Sequence, residues 1–374
     1  MSGKHLFLSG LNGLRAIAAI SVVVTHIALQ IESFNLTTYF FGKDTEGNPL
    51  AWYLGSMGVT IFFVLSGFLI TYLLLIESNK TEIDIKKFYI RRILRIWPIY
   101  YLYLLICLIL IYILTQQIET KKIVFYVFFA ANIPFIYEFT LRFLDHFWSI
   151  GVEEQFYLFW PWIIKKTKKY LLPTLIFLIL AINCIRYYVW WKYPFTENAI
   201  FLIVNRFDCM MIGGVGAILY FDKNITFLKL FDNKVSQILA WLGILTITLN
   251  FKFVNSIVDT TIVTVLTLIL IIGQINIKNR VINLDIPLFN FLGKISYGIY
   301  VYHILIIYLF SLVLENLVLA DIWKVILVYT SIITTTITIA YFSFSKFEKR
   351  FIKMKDKFAV VKSTSISNYN EKET

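Results

Sequence analysis

Charge is scarce in this sequence. Asp, Glu, Lys and Arg make up 16% of its 374 residues, against about 25% in a typical soluble domain. With 59% hydrophobic and 18% aromatic residues beside it, that scarcity excludes a disordered chain, a fibrous repeat and an ordinary soluble enzyme. Cysteine is also rare. Cys107, Cys184 and Cys209 lie in apolar runs without CxxC spacing, which excludes a disulfide framework and a zinc-finger type of site. The four histidines lack zinc-ligand spacing, so no metal is expected. There is no Gly-rich phosphate loop and no GxSxG elbow. Acidic residues number 23 against 35 basic ones, a net charge of +12. In a soluble protein that excess would suggest nucleic acid. Here it is read first as an orientation signal, and no nucleic-acid partner is expected.

What the sequence has is long apolar runs. They fall at Leu11–Ile31, Trp52–Ile76, Ile90–Thr115, Tyr170–Trp191, Ala199–Phe221, Ser236–Val254, Val258–Ile275, Phe291–Leu314 and Trp323–Phe344. Each is near the ~20 residues a helix needs to cross the hydrocarbon. The first run is too long for the apolar core of a signal peptide and carries Arg15 and His26, so a membrane helix and not a cleaved leader is expected. Between Lys122 and Ile164 two shorter pieces compete, residues 123–137 and 147–164. Lysines and arginines cluster in alternate loops, notably Lys80–Arg92 and the Lys165–Lys169 cluster, and again from Lys346 onward. With these clusters on the cytoplasmic side, the stretch from Lys122 to Ile164 crosses a net single time and the spacing leaves open which piece does so. The expectation is an all-α, polytopic membrane bundle of about ten spans, both termini cytoplasmic. Residues 1–350 would form the membrane domain and 351–374 a polar, basic, flexible cytoplasmic tail.

Ionisable groups within spans cost roughly 2.5–3.5 kcal/mol each on insertion scales, so each needs a reason. Arg15 and His26 are eleven residues apart on the first span, which places them on one face about 16 Å apart along the axis. Arg15 falls near the cytoplasmic end and His26 deeper. The bland alternative is a snorkelling arginine and a histidine bonded to a neighbouring helix. Arg92 and Arg95 share a face at i, i+3. The positive-inside rule explains Arg92 better than the deeper Arg95, and two guanidiniums on one face suit phosphate groups. Glu153 and Glu154 are adjacent carboxylates in an apolar stretch, and a salt bridge to Arg206 or Arg186 is their bland explanation. Arg206 and Asp208 point apart at i, i+2, so ion pairing to other helices is favoured for them. Gly213, Gly214 and Gly216 read as close helix packing. Ser296, Tyr300 and His303 line one helix face at i, i+4, i+7, otherwise a polar seam between helices. His5 and His146 are assigned no role. In the expected topology Arg15, Arg92 and Arg95 gather at the cytoplasmic side, suited to a phosphorylated donor. His26, Glu153, Glu154, Arg206, Asp208 and His303 gather at mid-membrane or above, where a histidine with a carboxylate suits proton transfer at an acceptor hydroxyl.

Taken in order, seven segments resemble the membrane-bound acyltransferase 3 family, which includes bacterial O-antigen and exopolysaccharide O-acetylases. They are Gly13–Ala19 (GLRAIAA) with His26, Val59–Phe68 (VTIFFVLSGF), Arg91–Pro98 (RRILRIWP), Trp148–Leu158 (WSIGVEEQFYL), Arg206–Asp208 (RFD), Ser296–Tyr300 (SYGIY) with His303, and Phe347–Phe351 (FEKRF). The resemblance covers nearly the whole chain. It implies a ten-helix bundle in the bacterial cytoplasmic membrane, using acetyl-CoA or another acyl-CoA as co-substrate, with no permanently bound cofactor. It implies His26 as catalytic histidine, with Arg15 in the same motif, Arg92 and Arg95 as the paired arginines linked to the donor, and Glu153 and Glu154 as the family's paired glutamates. The expected roles are catalysis for His26, Glu153 and Glu154 and donor binding for Arg15, Arg92 and Arg95. Arg206, Asp208, Ser296, Tyr300 and His303 would form a supporting polar network. Asn12 stands where the family usually has an acidic residue. Some members carry an extracytoplasmic hydrolase-like domain. With none in these 374 residues, direct transfer or a separate extracytoplasmic partner is expected. The expected function is acyl transfer, acetyl first, from acyl-CoA to a hydroxyl of a cell-surface carbohydrate or glycolipid, within membrane lipids. The alternative is a non-enzymatic flippase or transporter of a glycan or lipid-linked sugar, which would more often show paired repeats and broken helices at matching positions.

Overall fold

The computed structural model describes residues 8–37, 39, 42–43, 49–117, 119–167, 170–249 and 256–359. His5, Lys168, Lys169, the end of the Ser236–Val254 run and residues 360–374 of the tail lie outside the described residues.

The described chain is helical, with no β-strand and a single isolated bridge between Lys43 and Pro49. The helices are α1 (Leu11–Leu29), α2 (Trp52–Ser78), α3 (Ile85–Thr115), α4 (Thr120–Val127), α5 (Asn132–Ile136), α6 (Phe147–Thr167), α7 (Leu171–Lys192) and α8 (Glu197–Val204). They continue with α9 (Phe207–Phe221), α10 (Ile225–Phe231), α11 (Lys234–Thr248), α12 (Ser256–Ile275), α13 (Pro287–Leu314), α14 (Asp321–Ser343) and α15 (Lys349–Lys355). Among the described residues, eight helical segments are long and apolar enough to cross a membrane, with α8 and α9 counted together. The protein is therefore a multi-pass helical membrane bundle. A ten-crossing topology takes these eight together with α6 and α11. Of the two competing pieces, 147–164 lies within α6, a 21-residue helix, about 31 Å long at 1.5 Å per residue. Residues 123–137 are broken into two short helices.

That break has a chemical explanation. Backbone outside a helix survives at membrane depth only where protein satisfies its polar groups. Three tyrosines of α3 do this. Tyr100 donates to the Tyr126 carbonyl at 2.7 Å, Tyr101 to Val127 at 2.8 Å and Tyr103 to Phe143 at 3.1 Å. Tyr126 in turn accepts from the Leu141 amide at 2.9 Å. These four tyrosines thus serve as hydrogen-bonding groups for an irregular segment, as well as apolar bulk.

Close packing of α2 on α9 builds the centre. A β-carbon on Gly67 would lie 1.9 Å from the Met210 carbonyl oxygen, and one on Gly213 would lie 2.3 Å from that of Val64. Gly214 and Gly216 abut Trp160 and Leu268 in the same way. The glycines near residue 214 are packing glycines, as their sequence context suggested. Gly67→Val is expected to destabilise the bundle by more than about 3 kcal/mol, because backbone cannot yield as a side chain does. Thermal unfolding and monodispersity in detergent would check this. On the other side, Gly293 lets α13 meet α1 at the Asn12 backbone, where a β-carbon would lie 2.0 Å from the carbonyl oxygen. This contact holds the helix of Arg15 and His26 against that of Ser296, Tyr300 and His303.

The run from Ala199 to Phe221, continuous in hydropathy, is broken at Asn205–Arg206. The freed carbonyls are recapped by arginines. Arg186 Nε donates to Leu202 at 3.0 Å and Arg206 Nε to Ile203 at 3.1 Å. The Asn205 side chain accepts from Asn132 at 2.8 Å. Arg186 also grips Asp208 through two bonds of 2.8 and 2.5 Å, with both side chains buried. Removing one partner of such a pair costs about 3–5 kcal/mol. Asp208→Asn is therefore expected to lower the unfolding temperature markedly, and any loss of activity should follow the loss of folded protein.

Candidate active site

The three arginines singled out from the sequence come together. Arg15 from α1 and Arg92 and Arg95 from α3 line a cavity of about 180 Å³ with Ser66, Glu153 and Tyr157. Its upper wall includes Ser149, Ser296 and Tyr300. None of the three arginines forms an ion pair with a carboxylate among the described residues. Arg15 Nη1 donates only to the Asn12 side chain, at 3.2 Å. With a neutral amide at position 12, Arg15 has no carboxylate bonded to it. Arg92 lies over the rings of Phe88 and Tyr157, at 5.8 and 5.6 Å, and its buried Nε has no hydrogen-bond partner. Arg95 is exposed. Three unpaired guanidiniums around one cavity make an anion site, and their planar forks suit phosphate oxygens.

The glutamates do not sit where the sequence suggested. Glu153 Oε1 accepts from Ser66 and Tyr157 within the arginine-lined cavity. Glu154 Oε2 accepts from the Trp97 indole at 3.0 Å, and its buried Oε1 has no partner. Neither bonds His26, and neither bridges to Arg186 or Arg206. Glu153 thus shares a cavity with the arginines, and no hydrogen bond joins it to His26 among the described residues. The reason is rotational. Positions along α6 were known, but which helix each face met was not.

The partner of His26 is another histidine. His303 Nε2 lies 3.2 Å from His26 Nδ1, and the ring centroids are 4.8 Å apart. His26 Nδ1 also faces the Val22 carbonyl at 2.9 Å, and His303 Nδ1 faces that of Tyr300 at 2.6 Å. A carbonyl can only accept, so both histidines carry their proton on Nδ1. His26 Nδ1–H is then shared between Val22 and His303, and its Nε2 lone pair is free. His26 is half-buried and His303 fully buried.

A third histidine joins them. His146 was given no role, yet its ring lies 4.9 Å from that of His303. Its Nε2 donates to Val301 at 3.1 Å, and its buried Nδ1 has no partner. It sits before α6, where no helical periodicity marks it. Only the rarity of histidine, four in the chain, could have drawn attention to it. No group of three or more His, Cys, Asp or Glu suited to a metal occurs among the described residues.

The two sites are one helical turn apart. Tyr300 lines the cavity, and its backbone carbonyl receives the His303 proton. The Tyr300 hydroxyl donates to the His146 carbonyl at 2.8 Å and lies 2.5 Å from Ser149 Oγ. This closes the cavity below the histidines. His26 itself does not line it. Ser296 lines the cavity and donates to Gly293 at 3.0 Å within its own helix. Arg206 stands apart from both sites. It donates to Thr60 at 3.0 Å and to Ser56 at 3.1 Å, and lies 6.0 Å over Trp148. With Asp208 it secures the break between α8 and α9.

Fold and site together define a polytopic membrane protein with a cationic cavity leading towards a histidine cluster. The chain belongs to the acyltransferase 3 family, whose "Acyltransferase domain" matches residues 8–344. It is similar to O-acetyltransferase OatA of Staphylococcus aureus strain NCTC 8325, 34% identical over 171 residues. A putative O-acetyltransferase of S. aureus strain COL is 33% identical over 173 residues. Each match covers 42% of this chain and 25% of the relative's own length. No solved structure matches the chain.

Proposed function

We propose that this protein is an integral-membrane O-acyltransferase that moves an acyl group, acetyl first, from acyl-CoA to a hydroxyl of a cell-surface carbohydrate or glycolipid. One observation carries the reading: three arginines without carboxylate partners line a cavity that ends at Tyr300, one helical turn from His303, the histidine that pairs with His26. The donor's phosphates bind at Arg15, Arg92 and Arg95. The pantetheine arm runs towards His26, about 16 Å up α1 from Arg15 by helical rise. The bundle lies in the bacterial cytoplasmic membrane, with the arginine end and both termini cytoplasmic.

In the transfer, His26 Nε2 takes the acceptor hydroxyl's proton as the oxygen attacks the thioester carbonyl. The resulting imidazolium is held by the Val22 carbonyl and the His303 Nε2 lone pair. Collapse of the tetrahedral intermediate breaks the C–S bond, and the thiolate leaves with the proton from His26. Glu153, held by Ser66 and Tyr157, moderates the positive potential of the empty cavity.

The test is expression in a host lacking glycan O-acetylation. Base-labile acetyl on the surface polysaccharide should appear with wild type, be lost with His26→Ala and be reduced with Arg95→Ala. Acetylation undiminished in a well-expressed His26→Ala variant would overturn the mechanism. Export of unmodified glycan without acyl transfer would favour a transporter.

A further inference from the structure

A second, smaller cavity of about 30 Å³ adjoins the first. The two share Ile70, Leu73 and Arg92 in their walls. Its far side comes from beyond the last span, where Lys355, Asp356 and Ala359 close it. This segment is fastened down. Arg91 Nη2 donates to Glu77 at 2.8 Å and Nη1 to the Phe358 carbonyl at 3.0 Å. Arg91 and Glu77 thereby neutralise each other, and the segment following α15 is tied to α3.

Two cations are left over. Lys355 is only 8% exposed, and its one ion pair among the described residues is with the exposed Asp356 at 3.8 Å, too long for a hydrogen bond. Arg92 contributes the buried Nε without a partner. An ammonium has three protons to place and no lone pair of its own. Burying it beside a guanidinium, with only an exposed carboxylate beyond hydrogen-bond reach for balance, is costly. A built pocket with two under-satisfied cations calls for an anion.

We propose that this second cavity binds a phosphate monoester of the donor, with Lys355 and Arg92 as its ligands, so that the segment after the last span is part of the donor site. The inference rests on the acyl-CoA reading above. Coenzyme A carries a diphosphate and, separately on its ribose, a phosphate monoester. The three arginines suit the diphosphate. The monoester, a few bonds away, falls to the neighbouring cavity that shares Arg92. The headgroup of an anionic lipid offers the same chemistry from another source, and the test separates the two.

The full chain in phosphatidylcholine nanodiscs, with and without phosphatidylglycerol, would be titrated with coenzyme A and with dephospho-coenzyme A, which lacks the ribose phosphate. Wild type should bind coenzyme A about tenfold more tightly than the dephospho form, the size of one charge-assisted contact. Lys355→Met should lose most of that preference, keeping only what Arg92 supplies, and Lys355→Arg should keep more of it. An unchanged unfolding temperature for Lys355→Met shows that a binding defect is local. Equal binding of the two forms by wild type would overturn the proposal, as would a preference that survives undiminished in Lys355→Met. A response to phosphatidylglycerol that depends on Lys355, without discrimination between the coenzymes, would assign the cavity to lipid and overturn it too. If wild type binds neither coenzyme, the donor reading itself fails and this inference falls with it.

Discussion

His26→Ala is expected to lower acyl transfer by about 10²–10⁴-fold, the contribution of a positioned general base, with donor affinity unchanged. The split follows from geometry. His26 does not line the arginine-lined cavity, so its loss leaves the phosphate contacts intact and removes the only step that needs a free imidazole lone pair. His303→Asn should be milder. It deprives the His26 imidazolium of one of two acceptors, while the Val22 carbonyl, 2.9 Å from Nδ1, still fixes the tautomer. Single-turnover acyl transfer beside donor titration would separate the two effects. A large loss of donor affinity in a folded His26→Ala variant would place the histidine in the donor site and refute its assignment as base.

Arg95→Ala is expected to weaken donor binding by about 10–100-fold, with much less effect on the chemical step. A hydrogen bond to a charged group is worth about 1.5–3 kcal/mol, and Arg95 has no internal carboxylate to release when it is removed. Such a loss appears in KM and leaves kcat nearly unchanged when substrate dissociates faster than it reacts. Lysine at the same position should rescue poorly, because an ammonium cannot grip two phosphate oxygens in parallel. Titration of acyl-CoA against initial rate would check this. Unchanged KM together with a collapsed kcat would argue against phosphate binding and for a direct part in the reaction.

Part of this site was legible in the sequence. Arg15, Arg92 and Arg95 could be grouped because each stood in an apolar run at an assignable depth, and charge in loops orients such runs. The shared face of Ser296, Tyr300 and His303 followed from helical spacing, and Ser296 and Tyr300 do line one cavity. What spacing cannot encode is which helix a given face meets. For that reason the bonds of Glu153 and Glu154 to Ser66, Tyr157 and Trp97 are not readable from their adjacency in sequence. His146 escaped because a residue in a turn has no period. The break at Asn205–Arg206 escaped because hydropathy runs unbroken from Ala199 to Phe221. Its satisfaction by Arg186 is a contact across helices, invisible to any window on the sequence. Lys355 escaped for a simpler reason: a basic residue after the last span looks like an ordinary solvated tail.

The contact between Ser149 and Tyr300 has a meaning beyond the site itself. A bundle that admits a charged donor at one end and presents a base nearer the other risks becoming a conduit for water and protons. The 2.5 Å contact between these hydroxyls, with Tyr300 anchored on the His146 carbonyl, would then act as a plug between the arginine-lined cavity and the histidines. It would keep the ion gradient across the membrane from discharging through an idle enzyme. It would also shield the thioester from hydrolysis until an acceptor displaces it.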